Sequence, residues 1–139
     1  MTFDNELTRM LGIRYPIIQG AFGPKGMGTS RIAVPVSEAG GLGVLTSISY
    51  EGPDAFQQDI REARKRTDKP IAVNFSLLKD QGLLEAFHEE YVRLALAEGI
   101  KIVFTSAYDG SAIGRRCQAA GCVWIHKCAT IEHALSSAR

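Results

Sequence analysis

Four polar residues in this sequence interrupt runs that are otherwise apolar. Asn74 and Ser76 lie inside the run 70–77, and His126 and Lys127 close the run 122–128. Asn74 and Ser76 are two positions apart, so on an extended strand they share one face. An amide buried in such a strand must find hydrogen-bond partners. A ligand offering donors and acceptors is one solution, and a structural amide satisfied by the surrounding chain is the other. A lysine at the end of an apolar strand is costly unless it meets an anion or a polar ligand. His126 and Lys127 are adjacent and alternate in direction, so only one of them is expected to face a site. A third segment, Gln19-Gly20-Ala21-Phe22-Gly23 with the loop Pro24 to Gly28 after it, offers small residues beside which a planar ring can reach backbone N–H and C=O groups. Its other reading is a flexible glycine-rich turn.

These residues need elements to place them. Five apolar runs, 15–20, 42–47, 70–77, 101–106 and 122–128, alternate with longer segments of helical period. That alternation is the pattern of repeated βα units around a parallel sheet covered on both faces. Thr29 and Ser30 can cap a first helix running to Ala39, where Gly40 and Gly41 stop it. Pro35 lies inside it and is expected to distort the helix or delay its start to near Ala33. Pro53 suits the first position of the next helix, whose inward stripe is Phe56, Ile60 and Ala63. Further helices are expected at about 83–98, ending at Gly99, at 111–120, ending at Gly121, and from about Thr130. In parallel α/β proteins ligands bind at the C-terminal ends of the strands. Gly20, Ala21, Phe22, Asn74, Ser76 and Lys127 all fall there, together with the less specific hydroxyls of Thr105 and Ser106.

Several function classes are excluded or weakened. Sixteen Lys and Arg against fifteen Asp and Glu give a net charge of +1, which advertises no face to nucleic acid. The cluster Arg61, Arg64, Lys65, Arg66 reads as a solvated helix end. Ala39-Gly40-Gly41-Leu42-Gly43 has its glycines before a strand and not after one, so it is a packing device and no phosphate loop. His126 and Cys128 share a face but lack a third ligand, so no metal is expected. Three cysteines without CxxC spacing, a polar N-terminus and no apolar run near the roughly 20 residues of a membrane helix point to a cytoplasmic protein.

A chain of 139 residues with no linker or low-complexity tract is read as one α/β domain over residues 1–139. Pattern alone leaves two architectures open: a partial TIM-type (β/α) barrel of about five βα units, or a flavodoxin-like open parallel sheet. Length by itself favours the open sheet.

Motif content points to the barrel. Leu11-Gly12-Ile13-Arg14-Tyr15-Pro16-Ile17-Ile18-Gln19-Gly20, Val36-Ser37-Glu38-Ala39-Gly40-Gly41-Leu42-Gly43, Lys69-Pro70-Ile71-Ala72-Val73-Asn74 and Ile125-His126-Lys127-Cys128, in this order, resemble the nitronate monooxygenases, formerly 2-nitropropane dioxygenases. The first three segments also occur in related flavin enzymes, including an enoyl-acyl-carrier-protein reductase, whereas the last is narrower. The resemblance implies the N-terminal half of an FMN-dependent (β/α) barrel that oxidises alkyl nitronates with oxygen, releasing nitrite and a carbonyl compound. It implies that Gly20, Ala21 and Phe22 lie against the isoalloxazine ring, that Asn74 and Ser76 contact it from the third strand, and that Lys127 reaches it from the fifth. This chain reads Gly20-Ala21-Phe22 where the family commonly has Gly-Gly-Met, so Phe22 is expected to narrow the substrate side. The family's catalytic histidine follows a sixth strand in a Gly-Gly-His motif. His88, His126 and His133 match no such motif, so no catalytic residue is assigned and the machinery is expected to be incomplete. The competing expectations are a reductase-like enzyme and a non-catalytic half-barrel that self-associates through open strand edges.

Overall fold

The computed structural model describes residues 3–23, 25–77, 82–107 and 109–138. Pro24 of the glycine-rich loop lies outside them. Four parallel strands, β1 (Gly43–Thr46), β2 (Ile71–Ser76), β3 (Ile102–Ser106) and β4 (Val123–Lys127), pair in the order β1-β2-β3-β4. Helices α1 (Glu6–Leu11), α2 (Ser30–Glu38), α3 (Pro53–Arg66), α4 (Gly82–Ala97), α5 (Ser111–Ala119) and α6 (Ile131–Ser137) precede, separate and follow them.

The strand order decides between the two architectures. Each crossover advances the chain by one strand in the same direction, and consecutive helices α2, α3, α4 and α5 pack side by side in one layer. A flavodoxin-like sheet would place its first strand centrally and split its helices between two faces. The open-sheet alternative is therefore discarded, and the fold is a partial (β/α) barrel. Leu45, Val73, Phe75 and Val103 face the helices, where Phe56, Ile60, Tyr91 and Val92 meet them in the larger core cluster. On the other face Val44, Ala72 and Ile102 join Leu42, with Leu11 and Ile13 closing one end, in a second and smaller cluster.

The expected strand at 15–20 is corrected. Of it only a single parallel bridge survives, Ile18 to Leu42. The ladder along β1's outer edge begins with Leu42 N–H donating to the Ile17 carbonyl and Gln19 N–H to the Leu42 carbonyl, both at 2.9 Å. It then passes to a side chain. The Gln19 amide donates to the Val44 carbonyl at 3.1 Å and accepts from Val44 N–H at 3.3 Å. One residue pair further, Thr46 N–H donates to the Gly28 carbonyl at 2.8 Å. A carboxamide carries the same donor and acceptor as a peptide group, so it satisfies the strand edge while the main chain turns away.

Pro35 also behaves otherwise than expected. α2 runs through it and begins at Ser30, not near Ala33. The Asp59 carboxylate accepts from Ser30 N–H at 2.7 Å and from Ser30 Oγ at 2.5 Å, which pins the helix start ahead of the proline. Pro35 and Arg31 both lie on the exposed side. The Arg31 carbonyl, which a proline cannot serve, thus faces water. α1 was not anticipated, although its ends are legible: Asn5 and Thr8 form a reciprocal capping box, and Gly12 ends the helix at φ 66°. The glycine-rich helix stop is structural, as expected, because a side chain at Gly43 would overlap the Ala33 backbone where α2 crosses β1.

Candidate functional site

The parallel register assembles the site. Thr46, Asn74, Phe104 and Ile125 form one row across the four strands, and Ser76, Ser106 and Lys127 form the polar row above it. Ile102, Phe104, Val123 and Ile125 belong to the smaller core cluster, so by alternation Asn74, Ser76, Ser106 and Lys127 point to the same inner face. Asn74 is 2% exposed and donates its Nδ2 to Ser76 Oγ at 3.0 Å, and Ser76 Oγ lies 3.4 Å from Ser106 Oγ. Asn74 Oδ1 and Lys127 Nζ have no protein partner among the described residues. The row therefore presents an ammonium donor, two hydroxyls able to do either, and a carbonyl acceptor.

The backbone beneath this row is held from three sides. Ser76 N–H donates to Ser47 Oγ at 3.3 Å, His88 Nε2 lies 3.2 Å from the Ser76 carbonyl, and Leu77 N–H donates to the Ser106 carbonyl at 3.0 Å. Immediately after Ser106, Ala107 takes φ 82°. A non-glycine residue in that region is strained, and such strain concentrates at functional rims.

A cavity of about 460 Å³ opens over these strand ends, lined by Ala21, Ser76, Ser106, Ala107, His126 and Lys127 among others. Of the residues expected to hold a ligand, Ala21, Ser76 and Lys127 thus meet in one space, with Asn74 one row below. Gly20 and Phe22 flank Ala21 in an exposed segment, with Phe22 40% exposed. The expectation that only one of His126 and Lys127 could face the site does not hold. Among the described residues no strand pairs with the far edge of β4, so the cavity wraps around the strand end and reaches both faces. Asp109, the acid in its wall, is already engaged: it accepts from Ser111 Oγ at 2.5 Å and from Ser111 N–H at 2.9 Å. The Ser111 hydroxyl, and then its N–H, hold that carboxyl below the usual carboxylate range.

Thr46 is a residue the sequence reading passed over. It is 1% exposed, its Oγ1 has no partner, and it stands in register with Asn74 beneath the strand ends. A buried hydroxyl without a partner is unusual. Nothing in the sequence distinguishes it from any threonine that closes a strand. No cluster able to hold a metal occurs among the described residues, and no helix there is long and apolar enough to cross a membrane.

Comparison with known proteins agrees with this geometry. FabK from Thermotoga maritima superposes with a TM-score of 0.87 at 30% identity, over 99% of this chain and 42% of that one. Nitroalkane oxidase from Streptomyces ansochromogenes superposes at 0.75 over 96% of this chain and 45% of that one, and at 21% identity it speaks to the fold alone. A nitronate monooxygenase from Pseudomonas aeruginosa is 43% identical over 70 residues, which is 50% of this chain and 19% of that protein. The chain therefore spans less than half the length of these relatives. The family model for nitronate monooxygenase matches residues 4–138, taking in every strand and the whole polar row, and so the chain belongs to the nitronate monooxygenase family.

Proposed function

We propose that these residues supply the ring-binding side of an FMN site serving the oxidation of alkyl nitronates by oxygen. The observation that carries this reading is the row Ser76, Ser106, Lys127, in register at the strand ends and opening into a cavity with Ala21. The polar edge of an isoalloxazine carries both donors and acceptors, and the row with Asn74 below it offers an ammonium donor, a carbonyl acceptor and two hydroxyls that can do either. When bound, FMN would accept electrons from the substrate and pass them to oxygen. Lys127 would offer a cation to the bound ring, and Ser76 and Ser106 would hydrogen-bond to its polar edge. The exposed Phe22 beside Ala21 would narrow the approach on the substrate side.

Titration of FMN into the purified protein, followed by quenching of flavin fluorescence, tests the reading. Lys127→Met should weaken FMN by about tenfold, since a charge-assisted hydrogen bond contributes about 1.5 kcal/mol or more. FMN affinity unchanged by Lys127→Met and by Ser76→Ala would refute it. The second enzymatic reading, a reductase passing hydride from a nicotinamide cofactor to an unsaturated acyl thioester, rests on the three segments shared with that branch. NADH consumption without nitronate turnover would favour it.

A further inference from the structure

The cavity over the strand ends is lined by residues far apart in sequence, Ala21 and Ser76 among them. One turn of 3-10 helix, Ser47–Ser49, follows β1 directly and is bonded to the backbone of both segments. Ser49 serves the glycine-rich loop after Ala21. Gly28 N–H donates to Ser49 Oγ at 2.9 Å, and Gly26 N–H donates to the Ser49 carbonyl at 2.8 Å. Gly28 and Ser49 are both buried, so this N–H has no water to turn to if the hydroxyl is removed. The start of the loop rests on the same oxygen. A side chain at Gly23 would overlap Ser49 Oγ, and one at Gly28 would overlap both that hydroxyl and the Phe22 carbonyl.

Ser47 serves the strand end. Its Oγ accepts from Ser76 N–H at 3.3 Å, and the residue is buried. Two serines separated by one residue thus hold the loop that follows Ala21 and the first member of the polar row. The turn is itself tied to the sheet, because Thr46, the residue before it, donates its N–H to the Gly28 carbonyl at 2.8 Å. Charge supplies no comparable tether for the loop. Lys25 and Glu51 pair at 3.5 Å with side chains 73% and 83% exposed, and a pair so solvated contributes little.

We propose that Ser49 and Ser47 are positioning residues, a bracket that sets the Ala21–Phe22 segment relative to Ser76 and so fixes the space into which a planar ring binds. That a flavin ring occupies this space rests on the function proposed above. The bracket does not depend on that reading.

Amide hydrogen exchange, read from 1H–15N spectra, tests the bracket without ligand. FMN titration, with visible circular dichroism of the bound flavin, tests its consequence. In the unaltered protein the Gly28 amide should be protected, and Ser49→Ala should speed its exchange by about tenfold. Ser49→Ala should also weaken FMN about fivefold, since binding must then order the loop, and change the flavin's visible circular dichroism. Ser47→Ala should weaken FMN about threefold and leave the Gly28 amide protected. Ser37→Ala is the control. Ser37 is buried at the other end of β1, where its Oγ donates to the Pro70 carbonyl at 2.7 Å and accepts from Gly43 N–H at 3.0 Å. Its loss should lower Tm at least as much as Ser49→Ala while leaving FMN affinity and the flavin spectrum unchanged. An unprotected Gly28 amide in the unaltered protein, or protection indifferent to Ser49→Ala, overturns the proposal, and neither result needs FMN. So do a flavin affinity and spectrum unmoved by both Ser47→Ala and Ser49→Ala, or moved equally by Ser37→Ala. Failure of the unaltered protein to bind FMN, with Gly28 protected and then released by Ser49→Ala, would refute the flavin reading and uphold the bracket.

Discussion

Gln19→Glu is the sharpest test of how this fold closes its first edge. The native carboxamide donates to the Val44 carbonyl and accepts from Val44 N–H, at 3.1 and 3.3 Å. Val44 is 1% exposed, so neither backbone group can turn to water instead. An ionised carboxylate keeps the acceptor function and loses the donor, and its second oxygen then faces the Val44 carbonyl oxygen. Losing one hydrogen bond and leaving a buried carbonyl unserved should cost about 2 kcal/mol at pH 7. In a domain of this size that corresponds to a fall of roughly 8 °C in Tm. The pH dependence carries the stronger signature. Because the folded state favours the neutral form, the introduced carboxyl has a folded pKa above its unfolded one. The deficit is therefore full above that raised value and shrinks as pH falls through it, when the protonated acid can donate to Val44 again. Urea unfolding of wild type and variant at pH 7 and pH 4, followed by circular dichroism, measures both. A variant as stable as wild type at pH 7, or a deficit that grows on acidification, would refute the side-chain ladder.

Other consequences follow from single residues. Ala107→Val puts a β-branched residue at φ 82° and should cost more than about 1 kcal/mol, whereas Ala107→Gly should be neutral or slightly stabilising in the same unfolding assay. Burial, with Cys122 nearby, pushes the Cys117 thiol up to about 11, so alkylation of the native protein at pH 8 should mark Cys128 well before Cys117, as peptide mass analysis will show. The hydrogen bond from Arg61, helped by Gln57, holds the Glu98 carboxyl below its usual range, so its stabilisation is present above the unfolded value and lost as pH falls through the depressed one. Glu98→Gln should accordingly differ from wild type at pH 7 and converge with it in acid. Ile131 and Leu135 of α6 are 76% and 59% exposed, and the outer edge of β4 is unpaired among the described residues, so we expect concentration-dependent self-association in sedimentation, abolished by Ile131→Glu with Leu135→Lys.

The parts of this fold that were legible in the sequence are those where one local rule acts alone. β2 reads as a strand because Ile71, Val73 and Phe75 bury themselves against helices while Ala72 fills the other face, and the same period-two rule puts Asn74 and Ser76 together. Helix stops at Gly40, Gly99 and Gly121 all take positive φ, as glycine at such ends should. What was not legible depends on a distant partner. Pro35 looks like a helix breaker until Asp59, in the next helix, is seen holding the N-terminus of α2. Residues 15–20 have the composition of a strand, and only the position of Val44 reveals that the Gln19 side chain takes over the pairing.

The two edges of the sheet are finished differently. Along the outer edge of β1 the backbone groups of Leu42 and Val44 and the N–H of Thr46 meet partners, from Ile17, Gln19 and Gly28, so no strand can be added there without dismantling the Gln19 ladder. Among the described residues the outer edge of β4 is unpaired, its residues are half-buried or exposed, and α6 buries none of its side chains. Growth of the sheet is therefore directional. The same asymmetry governs the site: Ser76 and Ser106 sit within the paired strands and are fixed by them, whereas Lys127 stands on the edge strand, and its neighbour His126 is steadied chiefly by Thr105. Lys127, whose ammonium has no partner among the described residues, is thus the cation that the sheet constrains least, while its neighbour His126 is held by the hydrogen bonds that tie it to Thr105.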